Sequence, residues 1–231
     1  MAAGSRASKL AWLPLLAAMC AGSAAAASPA FQARCEQAAS APAASFTVAN
    51  SGLSVNNDLS TSELTAMKGQ GGLVLGLTRA ESRIGIAVHG KLLLETRSGE
   101  ECIAPKVAVN LHYLPIVIYI SDAFAPGSCA YQEILAHEMR HLKAYQAHLP
   151  KVEGTVREAL DRRFAAQPVY APKGQAKALL AQEMDGHWMP FIKHAMAQVE
   201  PVQAAIDSPQ EYARLSKVCA GEVQFLIGRT R

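Results

Sequence analysis

The order of its hydrophobic patterns constrains this chain more than any other feature. From Gly72 to Asp122 it passes through LVLGLT, RIGIAVHG, KLLLETR, CIAPKVAVN and HYLPIVIYI, short runs of aliphatic residues divided by turn residues. Runs of this length and branching fit strands, and the region reads as a meander of about five of them. His89-Gly90 and Ser98-Gly99 punctuate it like hairpins, which implies antiparallel pairing. Pro115 has no N–H to give to a ladder, so it marks an edge strand or a bulge. After Asp122 the period becomes helical: 129–149 ended by Pro150, then 151–166, 174–206 with a kink at Pro190, and 209–220. Strands first and helices afterwards is an α+β layout, an N-terminal antiparallel sheet followed by a helical C-terminal half.

Helix ends support these bounds. Ser60 and Glu63 fit a capping box that opens a short helix over 61–68, with Gly69 as its stop. Ser208, Pro209 and Glu211 take the N-cap, N1 and N3 positions of the last helix. The GQGG run at 69–72 lacks a phosphate-binding continuation and reads as turn punctuation. No internal repeat interrupts the scheme, so residues 28–231 make one domain: a loosely structured lead-in over 28–60, mainly sheet over 61–122, and helices over 129–220.

Residues 1–27 have a different character. Arg6 and Lys9 precede the apolar run LAWLPLLAAMCA, and Ala25-Ala26-Ala27 gives an A-x-A pattern before Ser28. That is the layout of a secretory signal peptide, and its apolar stretch is too short to span a bilayer. Cleavage after Ala27 would remove both basic residues and bring the formal charge from +3 to +1. So small a charge argues against nucleic acid as a partner. Export to a periplasmic or extracellular space, without stable membrane insertion, is the expectation. There the four remaining cysteines, Cys35, Cys102, Cys129 and Cys219, would form two disulfides. Four cysteines allow three pairings; a Cys129–Cys219 bridge would tie two helices together and leave Cys35–Cys102 to hold the lead-in on the sheet.

The chemistry concentrates in His137-Glu138-Met139-Arg140-His141. On a helix, residues four apart lie on one face, so both imidazoles can reach one metal ion. Glu138 projects beside that face, where it can take a proton from a water polarised by the metal. Ile134, Leu135, Leu142 and Tyr145 give the same helix a stripe to bury.

Over roughly residues 113–149 the chain resembles the zincin metallopeptidases, through this motif, its helix and the sheet before it. The resemblance implies that His137 and His141 bind catalytic zinc, that Glu138 is general base and proton donor, and that Val117–Ile120 is an edge strand aligning substrate. The metzincin subgroup requires Gly and His where this chain has Ala144 and Ala147, so the likeness is to gluzincins, whose third ligand is a Glu on a later helix. Glu183 is the first choice for it. His187 follows, as ligand or as a catalytic hydrogen-bond donor to the transition state, and Asp185 and His148 are further candidates. Met184, Trp188, Ile192, Ala195 and Val199 would form the buried side of that helix. The expected activity is zinc-dependent hydrolysis of peptide or amide bonds in a peptide or protein substrate. The alternatives are a non-catalytic zincin-like binding or envelope-assembly protein, and a zinc hydrolase acting on a non-peptide envelope substrate.

Overall fold

The structure is a computed structural model that describes residues 27–49, 52–69 and 72–229. The proposed signal segment up to residue 26, and Gln70 and Gly71 of the GQGG turn, lie outside the described residues. The fold is α+β, as the patterning implies, but the sheet is mixed rather than antiparallel.

Two long strands replace most of the expected meander: β3 (Gly76–Glu95) and β4 (Glu100–Ile120) form one antiparallel hairpin. Its turn is at Ser98-Gly99, where Gly99 takes φ 72°, as expected. His89-Gly90 is no turn; the ladder runs straight through it, with Gly90 paired to Pro105. A Cβ on Gly90 would lie 2.5 Å from the Ala104 carbonyl oxygen, so this glycine serves close approach of the strands rather than chain reversal. Along the other side of β4 lie three short strands in tandem. β1 (Ala44–Ala49) and β2 (Leu53–Asn56) run parallel to it, and β5 (Val169–Pro172) antiparallel. The lead-in therefore supplies strands, which its Ala, Ser and Pro content concealed. It also forms α1 (Pro29–Ala38), N-capped by Ser28 and tied to β4 by the Cys35–Cys102 disulfide.

Pro115 does mark a bulge. The register of β3 on β4 shifts between Ala80 and Ser82, opposite the cis Leu114-Pro115 bond. Before it, Val107, Val109, Leu111 and Tyr113 face the core; after it, Ile116, Ile118 and Ile120 do. Side chains alternate along a strand, so an extra residue is what lets odd positions and then even positions face the same way. Val117–Ile120 is not an edge: β3 pairs with it on one side, and on the other β2 pairs with it as far as Tyr119, after which the Asn57 side-chain amide donates to the Ile120 carbonyl oxygen. The parallel neighbours come from the lead-in, so the hairpin rows alone could not reveal that burial.

The capping box of α2 (Thr61–Lys68) forms as read, with Gly69 as its C-cap. The motif helix α3 (Cys129–Phe164) does not end at Pro150 but continues through it. Leu149, Val152, Val156 and Leu160 are all buried, so one core grips both arms of the helix and outweighs the hydrogen bond that Pro150 cannot give to the Gln146 carbonyl. The expected 174–206 helix is broken into α4 (Ala176–Glu183), a π-helical turn (Met184–Trp188), α5 (Met189–Ala197) and α6 (Glu200–Ile206). Its apolar stripe of Met184, Trp188, Ile192 and Val199 is buried, with Ala195 packed beside it. Then come α7 (Pro209–Leu215), N-capped by Ser208, and α8 (Glu222–Arg229). Cys129–Cys219 closes the second disulfide, tying the start of α3 to the α7–α8 junction. Pro150→Ala restores a backbone donor in a helix whose core packing continues on both sides of the proline, so it should stabilise the protein by about 1–2 kcal/mol in urea unfolding. A loss of stability would mean that the proline ring itself contributes packing here.

Candidate metal centre

The third turn of α3 delivers the motif to the interior. His137, Glu138 and His141 are all buried, each below one-tenth exposed. The Nε2 atoms of the two histidines lie 3.3 Å apart, and each is close to Oδ1 of Asp207, at 3.1 Å from His137 and 3.2 Å from His141. These three atoms form the one His, Cys, Asp and Glu group among the described residues arranged to hold a metal ion. A tetrahedral ion with ligands at about 2.0–2.1 Å has ligand–ligand edges of about 3.3–3.4 Å. The observed triangle is close to that size, and the donor set of two imidazoles and one carboxylate suits a transition metal.

Asp207 reaches this point because it sits at the C-cap of α6, in the break before the Ser208 N-cap of α7. One turn earlier, Gln203 grips His141 at two points. Its amide N–H donates to the His141 carbonyl oxygen (3.2 Å), and its Oε1 lies 2.6 Å from His141 Nδ1. A carbonyl only accepts, so the first bond fixes the orientation of the amide. Oε1 then requires the proton on Nδ1, which leaves Nε2 with its lone pair free for a metal. One turn after Asp207, Glu211 faces His137 Nδ1 at 3.4 Å and is itself held by Arg140 and Arg214. Thus Gln203, Asp207 and Glu211, spaced by four, answer His137 and His141 from the opposite side.

The same contacts also suit an ion pair between the imidazoles and Asp207. Burial opposes ionisation of Asp207, yet hydrogen bonds from His137 and His141 outweigh it and hold the carboxyl far below its ordinary range. Burial also opposes protonation of His141, but its bonds to Asp207 and Gln203 win and raise its affinity for a proton. Glu138 is pushed up, chiefly by burial, against a hydrogen bond from Thr78. Thr78 Oγ1 lies 2.8 Å from Glu138 Oε2 and 3.0 Å from its backbone oxygen. Two residues before it, a Cβ on Gly76 would stand 2.6 Å from Glu138 Oε1, so only glycine leaves room for this carboxylate against β3. The group opens into a cleft of about 610 Å³. Residues 72–78 and Ile134 form one wall; Tyr212, Leu215, Ser216 and Val223 form another, and Lys68 stands near Asp207.

Glu183 is not part of this centre. Its carboxylate is held by Arg163 through two bonds of 2.9 and 2.8 Å, and it accepts from the Trp188 indole at 3.2 Å. His187 is exposed and stacks edge-on against Trp188, far along the fold in a separate shallow groove with Glu183 and Arg163. The π-helical turn carries Asp185 outward as well, and His148 bonds the Ala195 carbonyl oxygen at 3.0 Å. The carboxylate that lies beside both imidazoles, and with them could hold a metal ion, is Asp207. No protein-family model, curated protein or solved structure matches the chain.

Two outcomes follow from this geometry. In titrations with divalent first-row metal ions, Gln203→Leu should weaken binding by about 10–100-fold and Gln203→Glu should restore it. Asp207→Ala should weaken it further, whereas Glu183→Ala should leave it unchanged; weakened binding in Glu183→Ala would return that residue to the centre. On acidification, the bonds from Arg214 and Arg140 that lower Glu211 from 4.5 to about 2 set the sign. A depressed carboxyl gives stability in full above its ordinary value and loses it as the pH falls towards the folded one. Docking of α7 on α3 should therefore weaken from about pH 4.5 down to about pH 2, read from the Tyr212 ring signals.

Proposed function

We propose that this chain is a zinc-dependent hydrolase of peptide bonds, acting outside the reducing cytoplasm. The observation that carries the reading is the juxtaposition of two imidazole Nε2 atoms and Asp207 Oδ1 at ligand spacing with a buried carboxylate, Glu138, at the floor of one open cleft. A purely structural metal site needs three or four ligands; it has no use for a fourth, non-ligating carboxylate aimed into a cleft. Two imidazoles and one carboxylate match zinc, with a fourth position left for chemistry. The two disulfides fit an oxidising compartment. Among the described residues no helix is long and apolar enough to cross a membrane.

In this reading His137, His141 and Asp207 hold the ion. When bound, zinc supplies Lewis acidity that brings the pKa of water towards 7 and polarises a carbonyl. Glu138 accepts the proton from the attacking water and later returns it to the leaving amine. Thr78 aims its carboxylate. The phenol of Tyr212 lines the cleft beside Asp207, and once that carboxylate is committed to the ion its O–H takes the donor role that His187 is too remote to fill. Substrate alignment falls to the start of β3, whose residues 76–78 line the cleft, instead of to Val117–Ile120, which is covered on both sides. Leu73, Val74, Leu75, Leu215 and Val223 line the same cleft and favour an apolar side chain next to the scissile bond.

Glu138→Gln is the test. It should retain zinc, measured on the purified protein, and lower the release of new α-amines from an unfolded protein substrate by about 10²–10⁴-fold. Unchanged hydrolysis would remove Glu138 from the mechanism. Zinc binding without any turnover in the wild-type protein would favour the non-catalytic reading.

A further inference from the structure

We propose that the chain is processed between Ala27 and Ser28, and that the α-ammonium so created docks on the Glu95 carboxylate. The site is already built. The backbone nitrogen of Ser28 donates to Glu95 Oε2 at 3.1 Å, and the Ser28 hydroxyl donates to Glu95 Oε1. Ser98 Oγ donates to the same Oε2 at 3.0 Å and steadies the carboxylate at the hairpin turn. One acidic side chain from the far end of β3 thus takes both polar groups of a single residue, and that residue follows the A-x-A pattern of Ala25 and Ala27.

The physics of α1 explains why such a partner is needed. Ser28 is the N-cap of α1, and the first turn of that helix has no acidic residue. A free ammonium at a helix N-terminus sits against the positive end of the helix dipole and is disfavoured without a counter-charge. Glu95 supplies that charge from another element, and the Cys35–Cys102 bridge holds α1 against β4. The hydrogen bonds from Ser28 also keep the Glu95 carboxyl below its ordinary value, so it is ionised at neutral pH. Arg34 is the basic side chain that also acts on Glu95, and it competes with the ammonium.

The step itself is hydrolysis. Water adds across the Ala27–Ser28 amide, leaving a carboxylate on Ala27 and an ammonium on Ser28. The catalyst is an export peptidase of the class that selects small side chains one and three residues before the cut. An end at Ala27 instead would move the ammonium one residue beyond Glu95.

Export of the full chain from a bacterial host, followed by intact mass and N-terminal labelling, should find Ser28 as the first residue. The Ser28 amine should then titrate above the usual α-amino range of about 7.7–8.0. At pH 7 its acylation should be about tenfold faster in Glu95→Gln than in the wild-type protein. In a chain one residue longer, beginning at Ala27, the same substitution should leave the rate unchanged. Any other N-terminus overturns the proposal, as does an amine of ordinary pKa in the wild-type protein, a measurement that needs no variant to fold.

Discussion

One extra residue in β4 holds the two halves of this fold in contact. Without the bulge at Leu114-Pro115, the strand's alternation would turn Ile116, Ile118 and Ile120 away from the core. With it, Ile118 and Ile120 meet Phe124, Ala130 and Ile134, and the start of α3 is packed on the end of the sheet. His137 comes one turn after Ile134, so the same packing that buries Ile134 sets the depth of the motif. Gly76, across from Ile120 in the ladder, completes the contact by leaving out a side chain where Ile134 and Glu138 approach.

The C-terminal wall of the cleft depends on a different restraint. α7 is short, and it is fastened at both ends: at its start by Ser208 and Glu211, and beyond its end by the Cys129–Cys219 bridge. Its ion pairs reach α3 through Arg140 and through Arg214 to Glu133. The covalent link adds to these pairs, and together they hold α7, with Tyr212, against the start of α3.

The class of the fold, the motif helix, the caps of α2 and α7 and both disulfides were legible in the residues. Strand lengths were not, because Gly90 resembles a turn residue until its close contact with Ala104 is seen. Nor was the path of α3, since a proline is a helix terminator only where packing does not hold both sides. The site was half legible. His137, Glu138 and His141 announce themselves by spacing within one helix, and a search for their partner naturally scans other helix faces. Glu183 satisfied that search, but Arg163 and Trp188 occupy its oxygens. Asp207 lies between helices, where periodicity has nothing to say. The available signal was the four-residue spacing of Gln203, Asp207 and Glu211, which continues across the break.

The proton on His137 is what separates a metal-bound centre from an ion-paired one. Gln203 fixes the proton of His141 on Nδ1, but His137 Nδ1 faces two groups with opposite demands. Arg140, at 2.7 Å, can only donate, and it suits a ring protonated on Nε2 that bonds Asp207. Glu211 can only accept, and it suits a ring protonated on Nδ1 with Nε2 free for a metal. A metal at Nε2 therefore requires the Nδ1 proton to be shared with Glu211 and the Arg140 guanidinium to rest on that carboxylate instead, a pairing already made. The two arrangements differ by one proton position and the partner of one guanidinium, so an ion could be taken up at this group with its backbone in place.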